Sequence, residues 1–177
     1  MVAIIDSGVN EKYVNECDNL IDFTSDNDIL DKTGHGTIMY EIIHSSEWGI
    51  APSSKVSILK VTAKNGKTDI EDVIEALKWC GQNSVNIISM SLSTSKNYES
   101  LHEELTQLSE MGIHIFASVS NTSCYVSYPA AYEEVIGVYA WRELPFFKEN
   151  NYCYIPLNEY TVSETVSGNS AANALAA

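Results

Sequence analysis

Short apolar segments alternate with amphipathic segments along most of this 177-residue chain. Two amphipathic segments, Asp69–Cys80 and Tyr98–Met111, place their apolar residues on one helical face, and Gly112 is suited to end the second. Strands that alternate with helices form a parallel sheet covered on both faces. The sequence therefore predicts an α/β three-layer sandwich with a mostly parallel twisted sheet covered by helices. The candidate strands are Val2–Ile5, Val56–Val61, Val85–Met90, Ile113–Val119 and Val135–Ala140.

Three short motifs carry an Asp, a His and a Ser, each beside glycine. Asp6 follows the buried run Val2–Ile5, so its carboxylate is expected at the carboxyl edge of the sheet. His35 in TGHGT begins a helical stretch, and Ser170 in SGNSAA precedes an alanine run that favours a helix. A helix start offers free backbone N–H groups to developing negative charge. Together the three residue types can perform nucleophilic acyl transfer.

With these motifs in this order, the chain resembles the subtilisin-like serine peptidases, the subtilases, over nearly its whole length. The order Asp, His, Ser is theirs, whereas chymotrypsin runs His, Asp, Ser and the α/β-hydrolases run Ser, Asp, His. The resemblance implies a subtilisin-like fold and a single catalytic domain over residues 1–177. Further matching segments are GIAPSSKVSILKV from Gly49, SVNIISMSLS from Ser84, IHIFASVSNTS from Ile113 and YPAAYEEVIGV from Tyr128.

The resemblance implies a serine endopeptidase with a catalytic triad. His35 would take the Ser170 proton as general base, while Asp6 would hold the imidazole in the useful tautomer. Asn121 would donate its side-chain N–H to the oxyanion, together with the backbone N–H of Ser170. A catalytically silent subtilase fold that binds peptides or a partner protein is the alternative.

For substrate binding, the resemblance assigns Ser91, Leu92 and Ser93 to an edge that pairs with the peptide backbone. Ser93 stands where the family commonly has glycine, so its side chain is expected to narrow the first specificity pocket. Asn169 replaces the usual threonine before the serine, and Ala174 falls on the family's proline.

The composition is strongly acidic, with 24 Asp and Glu against 10 Lys and Arg, a formal net charge of −14. Phosphate binding draws on clustered Lys and Arg, so nucleic acid is excluded as a partner. A peptide or protein substrate is expected, and the charge favours a basic one. The acidity also accounts for solubility without any partner, and the sequence leaves both interpretations open.

The chain contains four widely spaced cysteines that form no CxxC pair, namely Cys17, Cys80, Cys124 and Cys153. We expect reduced thiols rather than a disulfide scaffold.

Because Met1 leads directly into the first strand, with no signal peptide or membrane span, we expect a cytoplasmic protein with no membrane partner. The run Ser170–Ala177 is only about two helical turns, from which we expect the domain to be truncated after Ala177.

An acidic run precedes His35 and resembles calcium-binding loops in its charge. It lacks the glycine and the terminal glutamate of an EF-hand, so a solvated loop without metal or other cofactor is predicted. The remaining histidines, His44, His102 and His114, have no partner pattern and are predicted to be structural or surface residues. The acidic run consists of Asp22, Asp26, Asp28 and Asp31.

Overall fold

A single sheet contains the eight strands found among the described residues. The computed structural model of the protein describes residues 1–121, 126–141, 147–156 and 168–177. In chain order the strands are β1 (Val2–Asp6), β2 (Asn19–Asp22), β3 (Val56–Lys60), β4 (Ile87–Met90), β5 (His114–Ser118), β6 (Ile136–Trp141), β7 (Phe147–Glu149) and β8 (Tyr152–Pro156). They lie in the order β2-β3-β1-β4-β5-β6-β8-β7, and each neighbouring pair is parallel except β7 with β8.

Helices cover both faces of this sheet. Side chains alternate along β1, so Val2 and Ile4 face one helix pair whereas Ala3 and Ile5 face the other. The first face carries α1 and α4, and the second carries α2 and α3. The predicted three-layer fold is therefore confirmed. The helices are α1 (His35–His44), α2 (Ile70–Gln82), α3 (Glu99–Glu110) and α4 (Asn169–Ala176), with a short 3-10 helix over Glu11–Glu16.

The five predicted strands and the two predicted helical segments are all present, with small differences at their ends. Gly112 adopts the left-handed conformation, with φ of +83°, directly after α3. Sequence analysis missed β2, β7 and β8. The strand β2 is a short edge strand whose residues are all half-buried, so it has no alternation of buried and exposed positions to detect.

The strand order explains where the functional motifs meet. From β1 the sheet extends through β3 on one side and through β4 on the other, which makes the carboxyl end of β1 a topological switch point. Asp6 ends β1 there, and the segments that follow β4 and β5 emerge at the same edge. Across the described ranges, no helix has both the length and the apolar character needed to span a bilayer.

Candidate active site

Asp6 and His35 are in direct contact at the carboxyl end of β1. The Nδ1 atom of His35 lies 2.8 Å from Oδ1 and 3.0 Å from Oδ2 of Asp6. A carboxylate partner keeps the proton on Nδ1, which leaves Nε2 as the acceptor of the imidazole. The hydrogen bond to Asp6 raises the pKa of His35; burial opposes this increase, and the negative charges of Asp6 and Asp31 add to it.

A glycine in the first turn of α1 allows this close approach. A Cβ on Gly36 would overlap the backbone oxygen of Gly8, so the start of α1 can lie against the segment after β1 only without side chains there. The Gly36 N–H donates to Ser7 Oγ (2.9 Å), and the Ser7 N–H donates to Asp6 Oδ1 (2.8 Å). The Asp6 carboxylate is therefore oriented by the same backbone segment that receives the helix of His35.

Asp31 organises the loop on the other side of His35. Its carboxylate accepts hydrogen bonds from the backbone N–H groups of Thr33, Gly34 and Thr37, each at 2.9 Å, and from the Thr37 hydroxyl at 2.7 Å. Burial raises the pKa of Asp31, but these hydrogen bonds outweigh it and lower the pKa below its usual value. The sequence analysis placed Asp31 only in the acidic run. The sequence signal that could have singled out Asp31 is its position four residues before His35.

Ser170 is the second residue of α4, the helix that packs beside α1. It is half-buried, and its backbone oxygen accepts a hydrogen bond from Ser91 Oγ at 3.4 Å. Within the described part of the chain, no hydrogen bond joins Ser170 Oγ to His35. The structure thus brings Asp6 and His35 into contact and holds Ser170 on the adjacent helix.

Asn121 follows β5 and contacts the residues just before Ser170. Its Oδ1 accepts a hydrogen bond from the backbone N–H of Asn169 at 3.0 Å. A Cβ added to Gly168 would lie 2.7 Å from the same oxygen, and Gly168 has a φ of +95°. Glycine at this position therefore lets the chain pass directly over the Asn121 amide.

The segment Ser91–Ser93 follows β4 at the same edge of the sheet. Leu92 is half-buried and Ser93 is exposed. Both line a cavity of about 160 Å³ between β4 and the starts of α2 and α3. Other residues that line the cavity include Ile70, Val73, Met90, Tyr98, Leu101 and Tyr128.

The order of the Asp, His and Ser motifs along the chain has a spatial counterpart, because Asp6 contacts His35 beside the helix of Ser170. A profile of the subtilase family matches residues 1–177. The chain belongs to the subtilase family. The resemblance noted from its motifs is therefore confirmed, and the subtilase fold accounts for the switch-point position of Asp6.

Individual subtilases are similar at moderate identity. The "Minor extracellular protease Epr" of Bacillus subtilis (strain 168) is 30% identical over an alignment of 152 positions, which covers 80% of this chain and 23% of that protein. The "Major intracellular serine protease" of the same strain is 30% identical over an alignment of 173 positions, which covers 85% of this chain and 54% of that protein. The chain thus spans about a quarter of the first relative and about half of the second.

A solved structure supports the same fold. The psychrophilic subtilisin-like protease Apa1 from the Antarctic psychrotroph Pseudoalteromonas sp. AS-11 has a TM-score of 0.68 and 23% sequence identity. The match covers 78% of this subtilase chain and 35% of that one.

The other candidate groups lie outside the Asp6–His35 pair. Burial raises the pKa of Cys17 and of Cys80 to about 12, which keeps these free thiols protonated near neutral pH. Cys153 is buried in β8, and Cys124 lies outside the described residues. Among the described residues, no group of three or more His, Cys, Asp or Glu is placed to hold a metal ion.

The remaining histidines and the acidic run have structural contacts. His102 stacks on Tyr132 with 4.2 Å between the ring centroids, His44 lies against Tyr40, and His114 is exposed at the start of β5. The residues of the acidic run are half-buried rather than fully solvated. Asp22 and Asp28 accept backbone hydrogen bonds within the loop, and Asp26 accepts one from the Lys64 N–H outside it. The calcium-free state of this loop stays a prediction.

Proposed function

We propose that this subtilase chain hydrolyses peptide bonds as a serine endopeptidase, with Asp6, His35 and Ser170 as its catalytic triad. The observation that carries the proposal is the 2.8 Å contact between His35 Nδ1 and the buried Asp6 carboxylate, beside the helix of Ser170. In structures without substrate, the bond between the nucleophile and the base is often long and tightens in the complex. The separation of Ser170 from His35 is therefore compatible with catalysis.

The proposed chemistry begins with attack of Ser170 Oγ on the scissile carbonyl carbon. His35 Nε2 takes the hydroxyl proton, and Asp6 stabilises the imidazolium that forms. The same proton then passes to the leaving amine as the C–N bond breaks, which leaves an acyl-enzyme. Water then attacks the acyl carbon while His35 Nε2 takes one of its protons. The ester bond to Ser170 Oγ breaks, the acid product leaves, and His35 returns the proton to Ser170.

Asn121 and the backbone N–H of Ser170 are proposed to bind the oxyanion. The Asn121 oxygen is engaged by the Asn169 N–H, so the amide has a defined orientation. Loss of such an asparagine lowers kcat by about 10²- to 10³-fold, a magnitude measured on subtilisin itself rather than obtained from this structure.

The substrate is proposed to bind in extended form along Ser91–Ser93. Backbone groups of this segment would pair with the peptide, and the cavity beside Leu92 has the apolar lining that suits a hydrophobic substrate side chain.

The net charge of −14 favours basic peptides at the approach to the site. No partner of nucleic acid type is proposed, because clustered cations for phosphate are lacking in the sequence. A cytoplasmic location is proposed by analogy with the intracellular relative.

A binding module without catalysis is the second candidate. The observation that favours it is the missing hydrogen bond between Ser170 Oγ and His35 among the described residues. A silent subtilase would still bind an extended peptide along Ser91–Ser93, but it would have no activated serine.

Covalent labelling with a fluorophosphonate tests the two candidates. An activated serine is expected to be labelled at Ser170, and the label should disappear in both Ser170→Ala and His35→Ala. The matched control is His114→Ala, which removes an exposed histidine at the start of β5 and should leave labelling unchanged. A folded wild-type chain that stays unlabelled would support the binding module.

A further inference from the structure

Two buried asparagines flank Ser170 on α4. Asn169 is 8% exposed and Asn173 is fully buried. Asn173 reaches toward β4, where its Nδ2 donates to Ser89 Oγ at 3.2 Å. Asn169 reaches the opposite way, toward β5 and β6. The start of the helix is therefore attached on both sides of the serine by side-chain amides.

The Asn169 amide joins two neighbouring strands. Its Oδ1 accepts a hydrogen bond from the Ala140 N–H in β6 at 2.6 Å, and its Nδ2 donates to the Val119 carbonyl, just after β5, at 2.7 Å. A weaker contact of 3.5 Å joins Nδ2 to the Ser120 carbonyl. Because both ends of a buried amide are paired with backbone, its position relative to the sheet is well determined.

The backbone of Asn169 contacts Asn121 at the same time. Its N–H donates to Asn121 Oδ1 at 3.0 Å, and its own carbonyl leads directly into Ser170. One residue is thus bonded to the strand ends, to the side chain of Asn121 and, covalently, to Ser170. Asn121 and the N–H of Ser170 are the two proposed oxyanion donors.

We infer that Asn169 is a positioning residue that sets the relative placement of the Asn121 amide and Ser170. The inference rests on the proposed function and deepens it. The oxyanion is absent from the bound substrate and forms only as the tetrahedral intermediate is approached, so a misplaced donor lowers kcat and leaves substrate binding nearly unchanged. A displacement of about 1 Å costs up to about a hundredfold in rate.

A double-mutant cycle between Asn169 and Asn121 tests this role. Asn169→Ala is expected to lower kcat by about 10- to 100-fold with little change in KM. Because Asn169 acts through Asn121, the same substitution in an Asn121→Ala background should lower kcat by less than about threefold. An equal loss of kcat in both backgrounds would overturn the proposal, since a purely structural residue acts independently of Asn121.

Asn173→Ala is the matched control, because it removes a buried asparagine one turn along the same helix that has no contact with Asn121. Its effect on kcat should be the same in both Asn121 backgrounds. Should Asn169→Ala fail to fold, Asn169→Ser, which removes less of the side chain, replaces it in the cycle. Circular dichroism establishes folding for every variant.

A readout that needs no activity separates this inference from the proposed function. The side-chain amide of Asn121 is expected to give one defined pair of NMR signals in the wild type, because its oxygen accepts the Asn169 N–H. Those signals should broaden or shift in Asn169→Ala but not in Asn173→Ala. An unchanged Asn121 signal in Asn169→Ala would overturn the positioning role, whereas an absence of hydrolysis with the expected NMR result would overturn only the peptidase.

Discussion

The imidazole of His35 meets both carboxylate oxygens of Asp6, at 2.8 Å and 3.0 Å from Nδ1. Asp6 is only 2% exposed, so its negative charge has little access to water. Such a pair holds the imidazole in one tautomer and favours its protonated form. The contact between these two residues leads to the prediction for Asp6→Asn and to the two predictions on pH dependence.

Asp6→Asn is expected to fold normally and to lower kcat by about 10⁴-fold. An amide next to His35 favours the tautomer with its proton on Nε2, which is then unable to take the serine proton. Steady-state hydrolysis of a peptide substrate provides the measurement. Glu110→Gln, an amide substitution on an exposed residue at the end of α3, is the control. Near-normal activity in Asp6→Asn would remove this residue from the triad.

Ser170→Ala and His35→Ala should each reduce kcat to a similar residual level. In the proposed mechanism the two residues act as one unit in proton transfer, so their losses are not expected to add, a behaviour measured on subtilisin itself. The double variant is expected to be no slower than either single variant. If it proves far slower, the two residues act separately and the pairing proposed here is wrong.

The pH dependence of kcat/KM should show an acid limb with its midpoint above about 6.5, the ordinary pKa of histidine. The hydrogen bond to Asp6 raises the pKa of His35, and the base works only when neutral, so activity is lost as pH falls through that raised pKa. Asp31→Asn removes one of the contributing negative charges and should move the midpoint down. A midpoint that stays fixed in this variant contradicts the electrostatic effect of Asp31.

The same shift has the opposite consequence for stability. A pKa that is higher in the folded state means that His35 adds stability below its unfolded pKa, and that this contribution is lost as pH rises through the folded value. Urea unfolding of the wild type and of His35→Gln should therefore differ more at pH 5.5 than at pH 9. A constant difference across that range would show that protonation of His35 is not linked to folding.

Substrate charge should affect association rates. With a net charge of −14, the protein attracts cationic peptides, and added salt screens this attraction because the Debye length is about 8 Å at physiological ionic strength. Hydrolysis of a Lys-rich peptide should slow more with salt than hydrolysis of a neutral peptide of the same length. Equal salt dependence would leave the acidity as a solubility feature.

Lys60 places a cation inside the acidic loop before His35. Its side chain is 1% exposed, and Nζ lies 2.5 Å from the Asp28 carbonyl and 3.6 Å from Asp26 Oδ2. We therefore expect calcium and EDTA to leave the melting temperature unchanged.

Lys60→Met should lower the melting temperature by roughly 5 °C or more, because buried loop oxygens lose their cation.

The control for Lys60 is Lys64→Met, since Lys64 contacts the same carboxylate of Asp26 at 3.7 Å but is 70% exposed. Its loss should change the melting temperature very little, as expected for a surface ion pair. A clear rise in melting temperature on adding calcium to the wild type would contradict the metal-free loop.

Much of the fold could be predicted because its signals are local. The buried strands are visible in the sequence as short apolar runs, and the helices α2 and α3 are visible as apolar residues that recur at helical spacing. The short strands β7 and β8 lack such a signal, because their stability comes from pairing with each other and with β6.

The sequence by itself determined which residue types form the candidate site, and it placed each of them at a strand end or a helix start. It could do so because glycine-flanked motifs and helix signals depend on residues that are close together in the chain. Only the tertiary structure decided which distant groups support them. Asp31 accepts hydrogen bonds from the loop of His35, and Lys60 reaches the Asp28 carbonyl. Asn169 joins Ala140 in β6, 29 residues away in the chain, to Val119 after β5, 50 residues away. These contacts depend on strand order and helix placement, and no local spacing encodes them.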